Sequence, residues 1–254
     1  MSFEIGTSWL LTVVLVTIRM GILFYATPFD AMGRLPVQIR IYASFVLAMI
    51  LVSGLNISAL TMPGSVFELA MLGLQEALVG LIMAFGLYCV FGSIMVGGKL
   101  IDFQAGFGAA QILNPATNTS SPLVGTVISL LAVLLFFLSD AYLLALRGIA
   151  YSLEVSPPGS GFSLIPIDAI VKQFGLVYIY GFIIAAPVIG ILLLLDTAIA
   201  VMGRTMPQMN VYFLFLPLKI GSAVGLSAVA VRYLSPLLER MFLDVFQYWQ
   251  RVLG

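Results

Sequence analysis

The amino-acid sequence predicts an all-α, polytopic integral membrane protein, and three observations carry that prediction. Of its 254 residues, 61% are hydrophobic and only 9% charged, with a mean hydropathy of +1.14; a soluble domain carries roughly 25% charged residues. Long charge-free gaps separate Arg40 from Glu68, Asp102 from Asp140, Lys172 from Asp196, and Arg204 from Lys219. Within these gaps, runs such as Leu130–Leu138 stay apolar without alternating. A bilayer admits only helices or closed barrels, and barrel strands alternate polar with apolar residues, so helices are required.

Each element follows from the length needed to cross about 30 Å of hydrocarbon, about 20 helical residues. Six apolar stretches meet it, at 9–26, 41–60, 69–97, 123–146, 174–201 and 211–234. The first is expected to be a retained helix rather than a secretory signal, because Met1–Ser8 carries only Glu4 and Arg19 interrupts the apolar run. A proline-punctuated turn with Pro28 and Pro36, ending in Arg34 and Arg40, leads to the second stretch. Asn56, Pro63 and Gly64 mark the loop before the third, which is studded with Gly73, Gly80, Gly86 and Gly92. After the fourth stretch, Ser156-Pro157-Pro158-Gly159 marks the most solvent-exposed loop. The fifth contains Pro187, and the sixth contains Pro217 and a Gly221/Gly225 pair. Each proline removes a backbone donor and permits a kink.

The chain from Gly97 to Pro122 reads as an unusual connection. After Asp102 it has no charge, yet it is rich in Gly, Asn, Gln, Ser and Thr. Irregular backbone at membrane depth is tolerated only inside protein or against an aqueous cavity. Two readings fit the composition: a well-packed surface loop, or a constriction with glycine hinges and Phe107, Ile112 and Leu113 as its hydrophobic closure. Arg19, Glu76, Asp140, Asp196 and Lys219 fall in or near apolar stretches, as functional charges or as structural pairs. Glu76 and Asp140 are candidate proton carriers. Asp196 is a candidate partner of Lys219 or Arg204.

Eleven basic residues balance eleven acidic ones, so no net charge draws nucleic acid to the chain. It has no histidine and one cysteine, Cys89, which excludes a histidine-based triad, a Cys-His pair, a histidine-ligated metal and an internal disulfide. There is no phosphate-binding loop and no nucleophile elbow. The expectation is a protein that is not an enzyme and holds no cofactor. With the N-terminus outside, four basic residues would face the cytoplasm and five the exterior, so charge bias assigns no orientation.

At this point the residues resemble a known family. Ala185-Ala186-Pro187-Val188, Leu194-Leu195-Asp196, Arg204-Thr205-Met206-Pro207-Gln208-Met209-Asn210 and Pro217-Leu218-Lys219 look like the C-terminal signature of the FliR family. These are the R subunits of the flagellar type III export gate, with a homologue in virulence injectisomes. Arg19, Thr27-Pro28, Pro36, Arg40 and Gly98–Gly106 agree with it; Leu216, where a glycine is expected, departs.

The resemblance implies a core subunit in the bacterial inner membrane, within the flagellar basal body. It would assemble with the P and Q subunits, meet the B and A subunits of the export apparatus, and conduct unfolded proteins. It further implies a P-like portion over 1–170 and a Q-like portion over 171–254. By position, 103–122 matches the family's plug loop, naming Gly106, Phe107, Gly108, Gln111, Ile112, Leu113, Asn114 and Asn118 as gating residues. Arg34, Asp102, Gln104, Pro187, Asp196, Arg204, Pro207, Gln208, Asn210, Pro217 and Lys219 become subunit-contact or structural residues. An injectisome subunit and a small-molecule or ion transporter remain alternatives. A transporter of that kind is expected to show an inverted repeat, and no convincing duplication relates 1–125 to 126–254.

Overall fold

A computed structural model of the chain describes residues 6–26, 36–55, 57, 63–107, 123–160, 166–205 and 211–254. Among them are seven helices and no strand: α1 (Thr7–Ala26), α2 (Val37–Gly54), α3 (Val66–Ala105), α4 (Leu123–Leu138), α5 (Ala141–Val155), α6 (Ile167–Thr205) and α7 (Val211–Leu253). Five are long and apolar enough to cross a membrane, and α4 with α5 would make a sixth, broken span. At 1.5 Å per residue, α3, α6 and α7 run about 60 Å or more, twice the hydrocarbon thickness of a bilayer.

Helix ends differ from the sequence reading by several residues, as where α2 ends at Gly54 rather than 60 and α6 begins at Ile167 rather than 174, and three differences bear on the site. Gly97–Ala105 is not part of a connection but the last turns of α3; Gly97 and Gly98 serve close helix contacts there, and Asp102 and Gln104 find polar partners. The 123–146 stretch is not one helix. It breaks at Ser139–Asp140, where Asp140 takes the left-handed conformation at φ 55°, and resumes to Val155. The last helix continues past residue 234 to Leu253, with Pro217 and Pro236 inside it. Pro187 likewise lies within α6.

The chain divides into two compact units. The first comprises residues 1–89, 140–173 and 242–254; the second comprises 90–139 and 174–241. In the first unit α1 packs on α2. Val13, Leu15, Val16 and Met20 of α1 are fully buried, while α2 buries only Ser44, Ala48 and Val52, a single narrow face at four-residue spacing. α1 also approaches α3 so closely that a Cβ at Gly80 would lie 2.6 Å from the Arg19 carbonyl oxygen. The end of α7 is fastened by Trp249, fully buried, whose indole donates to the Met83 carbonyl at 3.1 Å and whose ring fills the space a Cβ at Gly148 would need.

In the second unit small residues let backbones meet. A Cβ at Gly98 would overlap the backbone of Gly125, and one at Gly97 would lie 2.8 Å from the Gly181 carbonyl oxygen. Close packing of this kind holds helices together where lipid removes the hydrophobic drive between them. The chain itself buries 61% of the apolar stretch of α3, against 22% for α6 and 11% for α7. Their exposed side chains include many large apolar ones, among them Phe182, Leu194, Leu218 and Val229. Such surface demands lipid or another protein.

Candidate functional site: charged clusters among apolar helices

The first cluster lies in the first unit. Arg19 is 1% exposed, and all three of its nitrogens are used. Nε donates to Glu76 Oε2 at 2.7 Å, Nη1 to the Ser152 carbonyl at 3.0 Å and to Ser152 Oγ at 3.1 Å, and Nη2 to the Ser156 carbonyl at 2.9 Å. The guanidinium therefore meets one carboxylate and the last carbonyls of α5, the negative end of that helix. A charge so buried persists only when paired and hydrogen-bonded. Glu76, a candidate proton carrier by sequence, is committed to this pair. Asp140, the other candidate, is exposed at the break before α5.

The second cluster lies in the second unit and joins three helices. Asp196 in α6 receives Lys219 Nζ of α7 at 2.7 Å on Oδ1 and 3.0 Å on Oδ2. Gln104 Nε2 of α3 donates to the same Oδ2 at 2.7 Å. Lys219 is buried, whereas the Asp196 carboxylate keeps 37% of its side-chain surface exposed. Of the two cations the sequence offers to Asp196, the structure joins Lys219; Arg204 is exposed in the last turn of α6. Two residues before Gln104, Asp102 is 7% exposed, and its Oδ1 accepts the Val124 amide of α4 at 3.1 Å.

Pro187 lines an apolar cavity of about 260 Å³ in the second unit with Ile128, Ile184, Val188 and Leu234. Among the described residues, Ser227 and Tyr233 bring the only hydroxyl groups to its wall, too little polar chemistry to orient a polar substrate. Pro217 lies in the second turn of α7, before Lys219. Gly106 and Phe107 are described, directly after α3. Gly108, Gln111, Ile112, Leu113, Asn114 and Asn118 lie outside the described residues, as do Arg34, Pro207, Gln208 and Asn210. Among the described residues no three acidic or thiol groups converge in a way that could hold a metal ion. The sequence reading missed Ser152 and Ser156, whose carbonyls carry no side-chain signature, and the Trp249 fastening.

Comparison with known proteins places this architecture. Residues 10–245 match the family described as Bacterial export proteins, family 1. The chain is 31% identical to the flagellar biosynthetic protein FliR of Bacillus subtilis (strain 168), over 90% of this chain and 89% of that one. It is 25% identical to FliR of Escherichia coli (strain K12), over 69% and 67%. The surface presentation of antigens protein SpaR of Shigella flexneri is 30% identical, over 80% and 78%. With a match from the first helix almost to the end of the last, the chain belongs to family 1 of the bacterial export proteins.

Proposed function

We propose that this integral membrane protein is a non-enzymatic core subunit of the flagellar type III export gate, seated in the bacterial inner membrane within the basal body. With P and Q subunits it forms the channel for unfolded flagellar proteins, next to the B and A subunits of the export apparatus. The observation that carries this reading is the mismatch between helix length and covered surface. α6 and α7 outrun a bilayer, yet the chain itself buries only 22% and 11% of their most apolar stretches. Helices of that kind suit burial between neighbouring subunits better than a lone span in lipid. Residues 1–170 serve as a P-like portion and 171–254 as a Q-like portion.

The segment from Gly106 to Ser121 closes the channel and moves aside during export. Gly106 and Gly108 permit the excursion of the backbone, while Phe107, Ile112 and Leu113 exclude ions in the closed state. The charged clusters support a passive role: Arg19, Glu76, Asp196 and Lys219 are all engaged within the chain. Deleting residues 109–119 in the assembled complex is expected to raise ion leakage without loss of assembly. Unchanged leakage would contradict the plug. A flagellar role is preferred to an injectisome role because the likeness to FliR of Bacillus subtilis covers more of both chains than the likeness to SpaR.

A further inference from the structure

The cavity beside Pro187 takes no part in the charged clusters or in the helix fastenings. Four helices of the second unit build its wall, with Ile101 from α3, Ile128 from α4, Ile184 from α6 and Leu234 from α7. These four side chains are buried, between 1% and 5% exposed. Two other lining residues are open to the surroundings: Ile183 is 47% exposed and Tyr233 74%. The cavity is therefore reached from the outer surface of α6 and α7, where Phe182 and Val229 also lie uncovered.

Among the described residues that line it, none is charged. Ser227 donates its hydroxyl to the Ala223 carbonyl of its own helix at 2.7 Å. Ordered water needs several polar partners, and this wall offers too few. Left empty, the space forfeits the contacts its walls could make. An apolar occupant restores them.

Size and wall chemistry narrow the choice of occupant. An apolar cavity of about 150 Å³ takes up a benzene molecule. This one, at about 260 Å³, has room left over after a single ring, so one side chain from a neighbouring protein would leave part of it empty. Its described wall is branched aliphatic apart from Tyr233 and offers no pair of flat faces to a planar ligand. A flexible, unbranched hydrocarbon satisfies both conditions, and a membrane supplies it in large excess.

We infer that this cavity is a binding site for one acyl chain of a membrane lipid, which enters beside Ile183 and Tyr233. The uncharged wall selects the hydrocarbon and not the headgroup.

The test uses the full chain, stripped of lipid in digitonin, whose rigid steroid cannot imitate a flexible chain. Palmitoyl-oleoyl phosphatidylglycerol and the matching phosphatidylethanolamine are titrated separately, and bound lipid is counted by native mass spectrometry. The parent is expected to bind one molecule of either lipid. Ala230→Phe and Ser227→Leu put bulk into the cavity and are expected to weaken binding at least about tenfold, the effect of shutting out two methylenes. Ala228→Phe adds the same ring at an exposed position of α7 outside the cavity and is expected to bind as the parent does. Equal binding by parent and filled variants would overturn the site, as would an equal loss in Ala228→Phe. A parent that takes up no lipid would also overturn it and leave the cavity to a partner's side chain. So would loss of monodisperse protein in both filled variants, because a cavity with room to spare accepts the larger side chains.

Discussion

At the scale of single residues, the Arg19 cluster is the strongest energetic commitment in the chain. Removing one partner of a buried ion pair strands the other charge and costs about 3–5 kcal/mol. Arg19→Met and Glu76→Met are each expected to lose most of the protein that survives graded heating in detergent as a monodisperse species. The double substitution is expected to recover part of the loss, because no charge is stranded. It should not recover all of it, since the Ser156 carbonyl loses the Arg19 donor and the Ser152 carbonyl keeps only the Ser156 amide. A double variant no better than either single one would mean that the pair is not the interaction that matters. Sequence shows Arg19 and Glu76 as charges in apolar stretches, but they lie 57 positions apart, and nothing in that spacing pairs them. Asp196 and Lys219 are more legible. They sit near the facing ends of consecutive helices, where opposite charges have few other places to go.

At the scale of elements, the apolar stretches were readable from length and charge gaps, but their ends were not. The helices are apolar on nearly every side, so no stripe marks where one stops. Gly97-Gly98-Lys99 reads as loop composition because glycine weakens a water-exposed helix. Inside this fold the same glycines are the contact surface of α3. The break at Ser139–Asp140 has the opposite character: no proline or glycine announces it, and only the left-handed Asp140 shows it. Gly98→Val tests the contact, because the added side chain must displace the backbone of Gly125. It is expected to abolish accumulation of folded protein, measured by gel filtration in mild detergent. Gly221→Ala, at a position with open space around it, is expected to behave as the parent. A normal Gly98→Val profile would show that α3 and α4 do not meet there.

At the scale of the whole molecule, the membrane class and the all-helical fold were legible because they rest on sums over many residues. The division into two units was not, since each draws on segments distant in sequence and no linker composition separates them. The residues proposed to gate the channel are named only through family resemblance; their composition alone fits a packed surface loop as well. The absent positive-inside bias takes a physical meaning here. Under the proposed function, helices buried between subunits would not be bound by the charge rule that orients single spans.

The broad apolar surface of α6 and α7 demands lipid or another protein, and the proposed function assigns it to partner subunits. The most direct test is co-expression of the tagged chain with candidate P and Q subunits, followed by mass determination of the purified species in detergent. The account predicts one defined hetero-oligomer that contains a single copy of this chain. A stable monomer or homodimer that ignores both partners would contradict it.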